Sequence, residues 1–266
     1  MTFEAVEGDH YRLNGTKSYS TGSMFSDWIR VTALTEAGDG VNTVIPVDRE
    51  GVHFEDDWDG IGQRLTGSGT TVLTNVVVNA DEILTSKPED GSGYAFKGTL
   101  SQVFLTGVIV GILFDIVHDG SRLLRERKRN FIHSTAEVPA NDPQLQEILG
   151  RLSSYAYAAE AAILAAAAAL DAAERTVVNG APTPETAHQA ALEAAKAKVV
   201  IDELAQSAAS ALFDLGGASA TQRSLDLDRH WRNVRTISSH NPRQYKARAI
   251  GDLEANGTLF PPNAFF

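Results

Sequence analysis

The stretch from Ala158 to Ala173 is alanine interrupted only by Glu160, Ile163, Leu164, Leu170 and Asp171. Alanine is the strongest helix former because its side chain has no rotamer freedom to lose, and its small volume lets helix backbones approach closely. The tract therefore demands a long helix inside a bundle. Asp142-Pro143 supplies an N-cap and a first-turn proline for it, and the helix is read as running to Asn179-Gly180. A second long helix opens at Thr183-Pro184 and closes at Gly216-Gly217. Two such helices joined by a short turn make an antiparallel hairpin of a bundle. Ahead of them the sequence predicts a helix over Phe96–Phe131, apolar first and then basic. A last helix follows from Asn241-Pro242 to near Asn256-Gly257.

Before about Leu84 the signals are different. Tyr11–Lys17 reads as a strand running into a hairpin turn at Asn14-Gly15. Trp28–Leu34, Val41–Val47, Val52–Phe54 and Thr70–Val78 add β-branched and apolar runs separated by Gly and Asp. The fold class is α+β: a small β-barrel or sandwich over residues 1–88, then an up-down helical bundle over residues 92–266. Lys87–Gly93, rich in Pro, Gly and charge, is the boundary.

Composition removes whole classes of function. A net charge of −11 disfavours nucleic acid, which needs a basic footprint. The absence of cysteine excludes disulfides, thiolate metal sites and thiol nucleophiles, and fits a reducing cytoplasm. The acidic N-terminus does not read as a signal peptide. The apolar window Thr99–Phe114 is shorter than the roughly 20 residues of a membrane span and contains Gln102 and Thr106, so it reads as a buried core helix. No Walker loop, GxGxxG, HExxH or GxSxG occurs, and the histidines lack metal-ligand spacing.

Four segments hold combinations that a plain scaffold does not need. Leu13–Ser23 has glycines at both ends and Tyr19, Ser20 and Thr21 between them. An aromatic face beside hydroxyls suits a flat heteroaromatic ring; the same residues also describe an ordinary hairpin. Asp56–Thr70 sets Trp58 among glycines, followed by Thr66, Ser68 and Thr70. That is either the wall of the same pocket or a loop anchored by a half-buried tryptophan. The run Arg122, Arg125, Arg127, Lys128, Arg129 is either a solvated helix end favoured by the dipole or a phosphate clamp. Asp228–Pro242 spaces Arg229, Arg232 and Arg235 along one helical face, interleaves His230 and Trp231, and puts His240 just before a helix start at Asn241-Pro242.

In this order the segments resemble the acyl-CoA dehydrogenase superfamily, and within it the reduced-flavin-dependent monooxygenases. Leu13-Asn-Gly-Thr-Lys17 is similar to the opening of the superfamily's middle β-domain, and Gly60–Arg64 with Gly67-Ser-Gly69 to its second flavin loop. Asp56-Asp-Trp58, Arg129 before an aromatic, Trp231–Thr236, His240-Asn-Pro242 and Tyr245-Lys246 are similar to the monooxygenase branch. The resemblance spans about Leu13 to Asn256. It implies that Tyr19 and Thr21 contact the isoalloxazine, that Trp58 flanks it with Ser68 nearby, and that Arg129 holds the flavin phosphate across a subunit interface. It implies that His240 sits beside the C4a-oxygen adduct, where a donor stabilises the hydroperoxide. It further implies FMN reduced by a separate flavin reductase, a small hydrophobic substrate and a homotetramer built on the bundle.

Two departures accompany it. The superfamily's N-terminal helical domain is missing from this sequence, which reads as a truncated product, a fragment or half of a split enzyme. Ile237 stands where the branch has a histidine. An FAD-dependent acyl-CoA dehydrogenase is the alternative, disfavoured because Thr236–His240 lacks a catalytic carboxylate. A non-catalytic remnant that oligomerises through its bundle is another.

Overall fold

The computed structural model describes residues 1–6, 10–84, 92–261, 263 and 265. The chain divides into two compact units, Met1–Lys87 and Pro88–Phe266. The boundary read at Lys87–Gly93 lies, up to residue 91, outside the described residues.

The first unit is one mixed sheet of seven strands: β1 (Thr2–Ala5), β2 (His10–Lys17), β3 (Trp28–Thr35), β4 (Gly40–Pro46), β5 (Val52–Glu55), β6 (Thr70–Asn79) and β7 (Ile83–Leu84). Their order is β5-β6-β2-β1-β3-β4-β7. Every ladder is antiparallel except β1–β3, where Thr2 and Phe3 pair with Leu34 and Thr35 in parallel. Strand period 2 decides which residues turn inward. In β3, Ile29, Val31 and Ala33 are buried while Trp28, Arg30 and Thr32 are exposed. The inward residues of five strands meet in one core of Phe3, Leu13, Ile29, Val31, Ile45, Leu73, Val76 and Val78, among others.

Asn14-Gly15 is not the expected turn. Both residues lie within β2, and the register against β6 slips by one between Leu13 and Gly15. Asn14 Oδ1 accepts the Asn75 amide at 2.6 Å. Gly15 sits at φ 134°, and a Cβ there would come within 2.8 Å of the Met1 Cα. The dipeptide serves as a bulge because β1 passes too close for a side chain. The other Asn-Gly pair does make a turn: Asn179 and Gly180 both have positive φ, as a type I′ turn needs, and Val178 bridges Ala181.

The second unit contains α1 (Ser92–Glu126), α2 (Pro143–Glu174), α3 (Pro184–Ala211), α4 (Asp228–Ser239) and α5 (Arg243–Asn256). Along α2 the residues Leu152, Ala156, Ala159, Ala166, Leu170 and Ala173 are buried. These steps of three, four and seven draw a single seam down the helix. Asp142 and Thr183 cap α2 and α3 through the Gln144 and Thr186 amides, each with proline next in line.

Three helix ends differ from expectation. α3 stops at Ala211 and gives way to a 3-10 turn over Leu212–Leu215 in place of running to Gly216-Gly217. α1 stops at Glu126, so only Arg122 and Arg125 of the basic run are helical. The loop that follows is held by its own side chains: Asn130 Nδ2 donates to Ser134, Ala136 and Asp142. α2 stops at Glu174, where Thr176 bonds back to Ala173 and across to Thr186. The apolar window on α1 is also only partly core. Val103, Ile109, Val110, Leu113 and Ile116 are buried, whereas Leu100, Phe104 and Phe114 are exposed. Among the described residues, two helices, Gly98–Glu126 and Pro143–Glu174, are long and apolar enough to cross a membrane by length and composition.

Candidate functional site

Four of the six residues picked from the sequence come together in the sheet unit. Two loops are stapled there: Ser20 N donates to Gly69 O and Gly22 N to Thr66 O, both at 3.0 Å. Trp58 Nε1 donates to Gln63 O at 2.9 Å, which fixes the indole, and Tyr19 packs edge-on to it at 6.2 Å between centroids. Gly60 lies against the indole so closely that a Cβ would meet Cζ2 at 2.1 Å, and Gly69 lies equally close to the Glu55 carbonyl. Asp57 accepts both the amide (2.7 Å) and the hydroxyl (2.8 Å) of Thr70. Those two bonds, the hydroxyl's first, hold the Asp57 carboxyl below its usual range. Tyr19 and Gln63 have φ of 59° and 54°, a region that costs a non-glycine residue about 1–2 kcal/mol. Tyr19 is also 76% exposed. An aromatic side chain is thus held at the surface in a strained backbone.

The hydroxyls form a directed chain. Thr66 Oγ1 donates to Gln63 O at 2.9 Å. Its oxygen is therefore the acceptor for Ser68, 2.6 Å away, and the Ser68 oxygen in turn accepts from Thr21 at 2.8 Å. Each hydroxyl has one proton to give, so the outermost member, Thr21, keeps only lone pairs for a ligand. The array presents an acceptor beside an aromatic wall.

Arg129 and His240 stand in the helical unit. Arg129 is exposed in the α1–α2 loop and makes no hydrogen bond or ion pair among the described residues. With Asn130, Phe131, Ser134 and Glu137 it lines a shallow cavity of ≈ 400 Å³. The other cations of the run that the structure engages are occupied: Arg122 pairs with Asp119 at 3.1 Å, and Arg127 donates to Leu215 O and lies 4.4 Å from the Phe131 ring centre. His240 is exposed at the C-terminal cap of α4 and, as expected, just before a helix start: Pro242 is the N-cap of α5. The helical spacing of Arg229, Arg232 and Arg235 is real, but Arg229 and Arg232 are tied down by Asp119, Asp115, Asp226 and Asp228.

A buried cluster escaped the sequence reading. His230 Nε2 lies 2.9 Å and an Arg229 nitrogen 2.6 Å from Asp119 Oδ2. Burial pushes the His230 imidazole below its ordinary value, so it stands neutral and donates to the carboxylate. Burial alone would raise Asp119; the bonds from His230 and Arg229 outweigh it and hold the carboxyl low. The ligand atoms of Asp115, Asp119 and His230 fall within 4.8 Å of one another. Two guanidiniums already hold both Asp119 oxygens, which places positive charge where a metal ion would sit. His230 was visible in its Arg-rich segment, but Asp119 is 111 residues away and nothing local marks it.

The family model for the acyl-CoA dehydrogenase C-terminal domain matches residues 104–244, more than half of the chain. A dibenzothiophene monooxygenase of Mycolicibacterium goodii is 30% identical over 96% of this chain and 64% of its own length. A probable FMNH2-dependent monooxygenase, SfnC of Pseudomonas putida, is 29% identical over 95% of this chain and 64% of its own. The chain thus spans about two thirds of the length of these relatives, a little less than that in each case. The crystal structure of TdsC from Paenibacillus sp. A11-2 with FMN and indole superposes with a TM-score of 0.91 at 29% identity, covering 100% of this chain and 68% of TdsC.

Proposed function

Because the chain belongs to the family of acyl-CoA dehydrogenase C-terminal domains, we propose that it is an FMN-dependent monooxygenase, or the C-terminal part of one, that oxygenates a small hydrophobic substrate. The observation that carries this reading is the convergence of Tyr19, Thr21, Trp58 and Ser68 on one rim of the sheet unit. A flavin ring needs an apolar wall and polar groups aimed at one edge, and this set of side chains fits it. The relatives' names and the FMN-bound neighbour point to the same cofactor. Reduced FMN, supplied by a separate flavin reductase, would provide the activation of dioxygen.

The chain's own residues then have separable tasks. Trp58, pinned through Nε1, and Tyr19 provide the wall. Thr21, its proton committed to Ser68, accepts from a ring N–H. Arg129 supplies a cation for the phosphate, from this chain or from a neighbouring copy. His240, exposed and next to the buried Asn241, would donate a hydrogen bond to the oxygen being activated. The apolar side chains left exposed on α1 and α2, including Leu100, Phe104, Phe114 and Leu164, support a homotetramer built on the bundle. A cysteine-free composition supports a cytoplasmic location.

The test is an anaerobic titration of the full chain with reduced FMN, followed by turnover with a flavin reductase, NADH, 18O-labelled dioxygen and indole as probe substrate. Binding in the micromolar range and one labelled oxygen in the product are expected. Binding without labelled product would retain the flavin and remove the oxygenation. No binding up to about 1 mM, a free energy of only about 4 kcal/mol, would remove both.

A further inference from the structure

The hydroxyl chain of the sheet unit runs one way, and the residue that sets its direction lies at the end away from Thr21. Thr66 Oγ1 can only donate to the Gln63 carbonyl, 2.9 Å away, since a carbonyl has no proton to return. Ser68 must then donate to Thr66, and Thr21 to Ser68. Ser68 is only 9% exposed, so it has little water to turn to. The groups beside Thr21 are engaged too. Ser20 Oγ donates to Lys17 O at 3.1 Å, and the Ser20 and Gly22 amides donate to Gly69 O and Thr66 O. Thr21 thus turns lone pairs outward between donors that are already used. We propose, resting on the flavin reading above, that this one-way chain makes the rim select the reduced cofactor, with Thr66 as the positioning residue that sets the selection.

The selection follows from which ring nitrogen suits such an acceptor. The flavin N3–H is present in both oxidation states and stands between two carbonyls, so it calls for an acceptor with donors at its sides. N5 is a bare lone pair in the oxidised ring and an N–H in the reduced one. An acceptor whose neighbouring donors are used matches N5–H. Against the oxidised ring, the Thr21 lone pairs face another lone pair. That contact improves only if all three hydroxyls turn round, and turning round gives up the bond from Thr66 to Gln63. One net intramolecular hydrogen bond is worth roughly fivefold in an equilibrium. Thr66→Val removes the hydroxyl that accepts from Ser68. Ser68 is then left to donate to Thr21, and the Thr21 proton is released to point outward.

The experiment is anaerobic titration of the full chain with oxidised and with reduced FMN, together with the midpoint potential of the bound FMN. Thr66→Val should cut the preference for the reduced state roughly fivefold, which lowers the midpoint potential by about 20 mV for a two-electron couple. Thr66→Ser, which keeps the hydroxyl, should hold the wild-type potential. The wild type gives an arm that needs no variant. Oxidised 5-deazaFMN carries a C–H where FMN has N5, and should bind more tightly than oxidised FMN. An unchanged potential in Thr66→Val, or one lowered equally in Thr66→Ser, overturns the proposal and leaves flavin binding standing. Should Thr66→Val fail to fold, the wild-type comparison decides, and equal affinities for oxidised FMN and oxidised 5-deazaFMN overturn the proposal. If neither oxidation state of FMN binds up to about 1 mM, the flavin reading falls and the proposal falls with it.

Discussion

Replacing Asp119 by Asn withdraws one negative charge from a place that holds two guanidiniums and an imidazole. Asp119 is 3% exposed and takes Arg229 at 2.6 Å, His230 at 2.9 Å and Arg122 at 3.1 Å. Breaking a buried pair by removing one partner costs about 3–5 kcal/mol. Here Arg229 and Arg122 keep 30% and 48% of their side chains in solvent and can rehydrate, which trims the cost. A loss of about 2–3 kcal/mol is expected, or roughly 5–10 °C in Tm for a unit of this size. Urea unfolding followed by helical circular dichroism measures it. The pH dependence gives a second reading. His230 is held below its ordinary 6.5 when folded, so the unfolded chain takes up the proton first as pH falls. Its contribution is complete above about 6.5 and is lost as pH falls through the window below that value. Asp119 is also held low, and its contribution is lost further down, as pH falls below the usual carboxylate range. Without the carboxylate the imidazole is harder still to protonate, so Asp119→Asn should lose more between pH 7.5 and 5.5 than the wild type does. A loss under about 0.5 kcal/mol at pH 7.5, with parallel pH profiles, would refute the linkage of these groups.

Arg129→Ala should weaken reduced-FMN binding about ten- to a hundredfold, the worth of a charge-assisted phosphate contact. Arg122→Ala should change it little, since Arg122 is engaged by Asp119; equal small losses in an equilibrium titration would make Arg129 a solvated loop residue. His240→Ala should leave Tm unchanged within about 1 kcal/mol of stability, because the side chain is exposed, while cutting product formation about ten- to a thousandfold and releasing hydrogen peroxide from the flavin consumed. Unchanged coupling of flavin oxidation to product would remove His240 from the chemistry. Tyr19→Gly should keep or raise thermal stability by up to about 1 kcal/mol, as glycine accepts φ 59° without strain, yet lower flavin affinity. A clear drop in Tm would show that Tyr19 is structural.

What could be read from the sequence was what local chemistry dictates. The alanine tract, the Asp142-Pro143 and Thr183-Pro184 caps and the β-branched runs each act within a few residues, and each appears where expected to within a residue or two. Asn14-Gly15 misled because the residue pair that permits a turn also permits a bulge, and the choice is made by Met1 lying across the strand. The end of α1 is not marked by a proline or glycine, and the loop that replaces its expected last turn is held by bonds of Asn130, Ser134 and Asp142 that bridge residues up to twelve apart. In the loops that carry Tyr19 and Trp58, residue types were legible while their order was not. Nothing in Thr66, Ser68 and Thr21 as letters says that they hand protons in one direction to Gln63.

The polar groups missed in the bundle share a physical cause that also bears on His240. A seam of alanines between α2 and α3 packs tightly and carries no polar side chains, so it leaves the orientation of the remaining helices to other contacts. α4 is fixed near its start by Arg229 and His230 on Asp119, and near its end by Ser238, whose hydroxyl accepts from Gln206 at 3.3 Å. Three residues further on, Asn241 is held by Gln102. His240 therefore lies between two buried hydrogen-bonded positions, Ser238 and Asn241, and is itself exposed. A side chain meant to meet a reacting group gains from a backbone held on both sides, because the cost of ordering it is met in folding and not during the reaction. The buried Asp119 cluster and the Asn241–Gln102 bond are, on this argument, the support that makes an exposed histidine at a helix end a defined point in space.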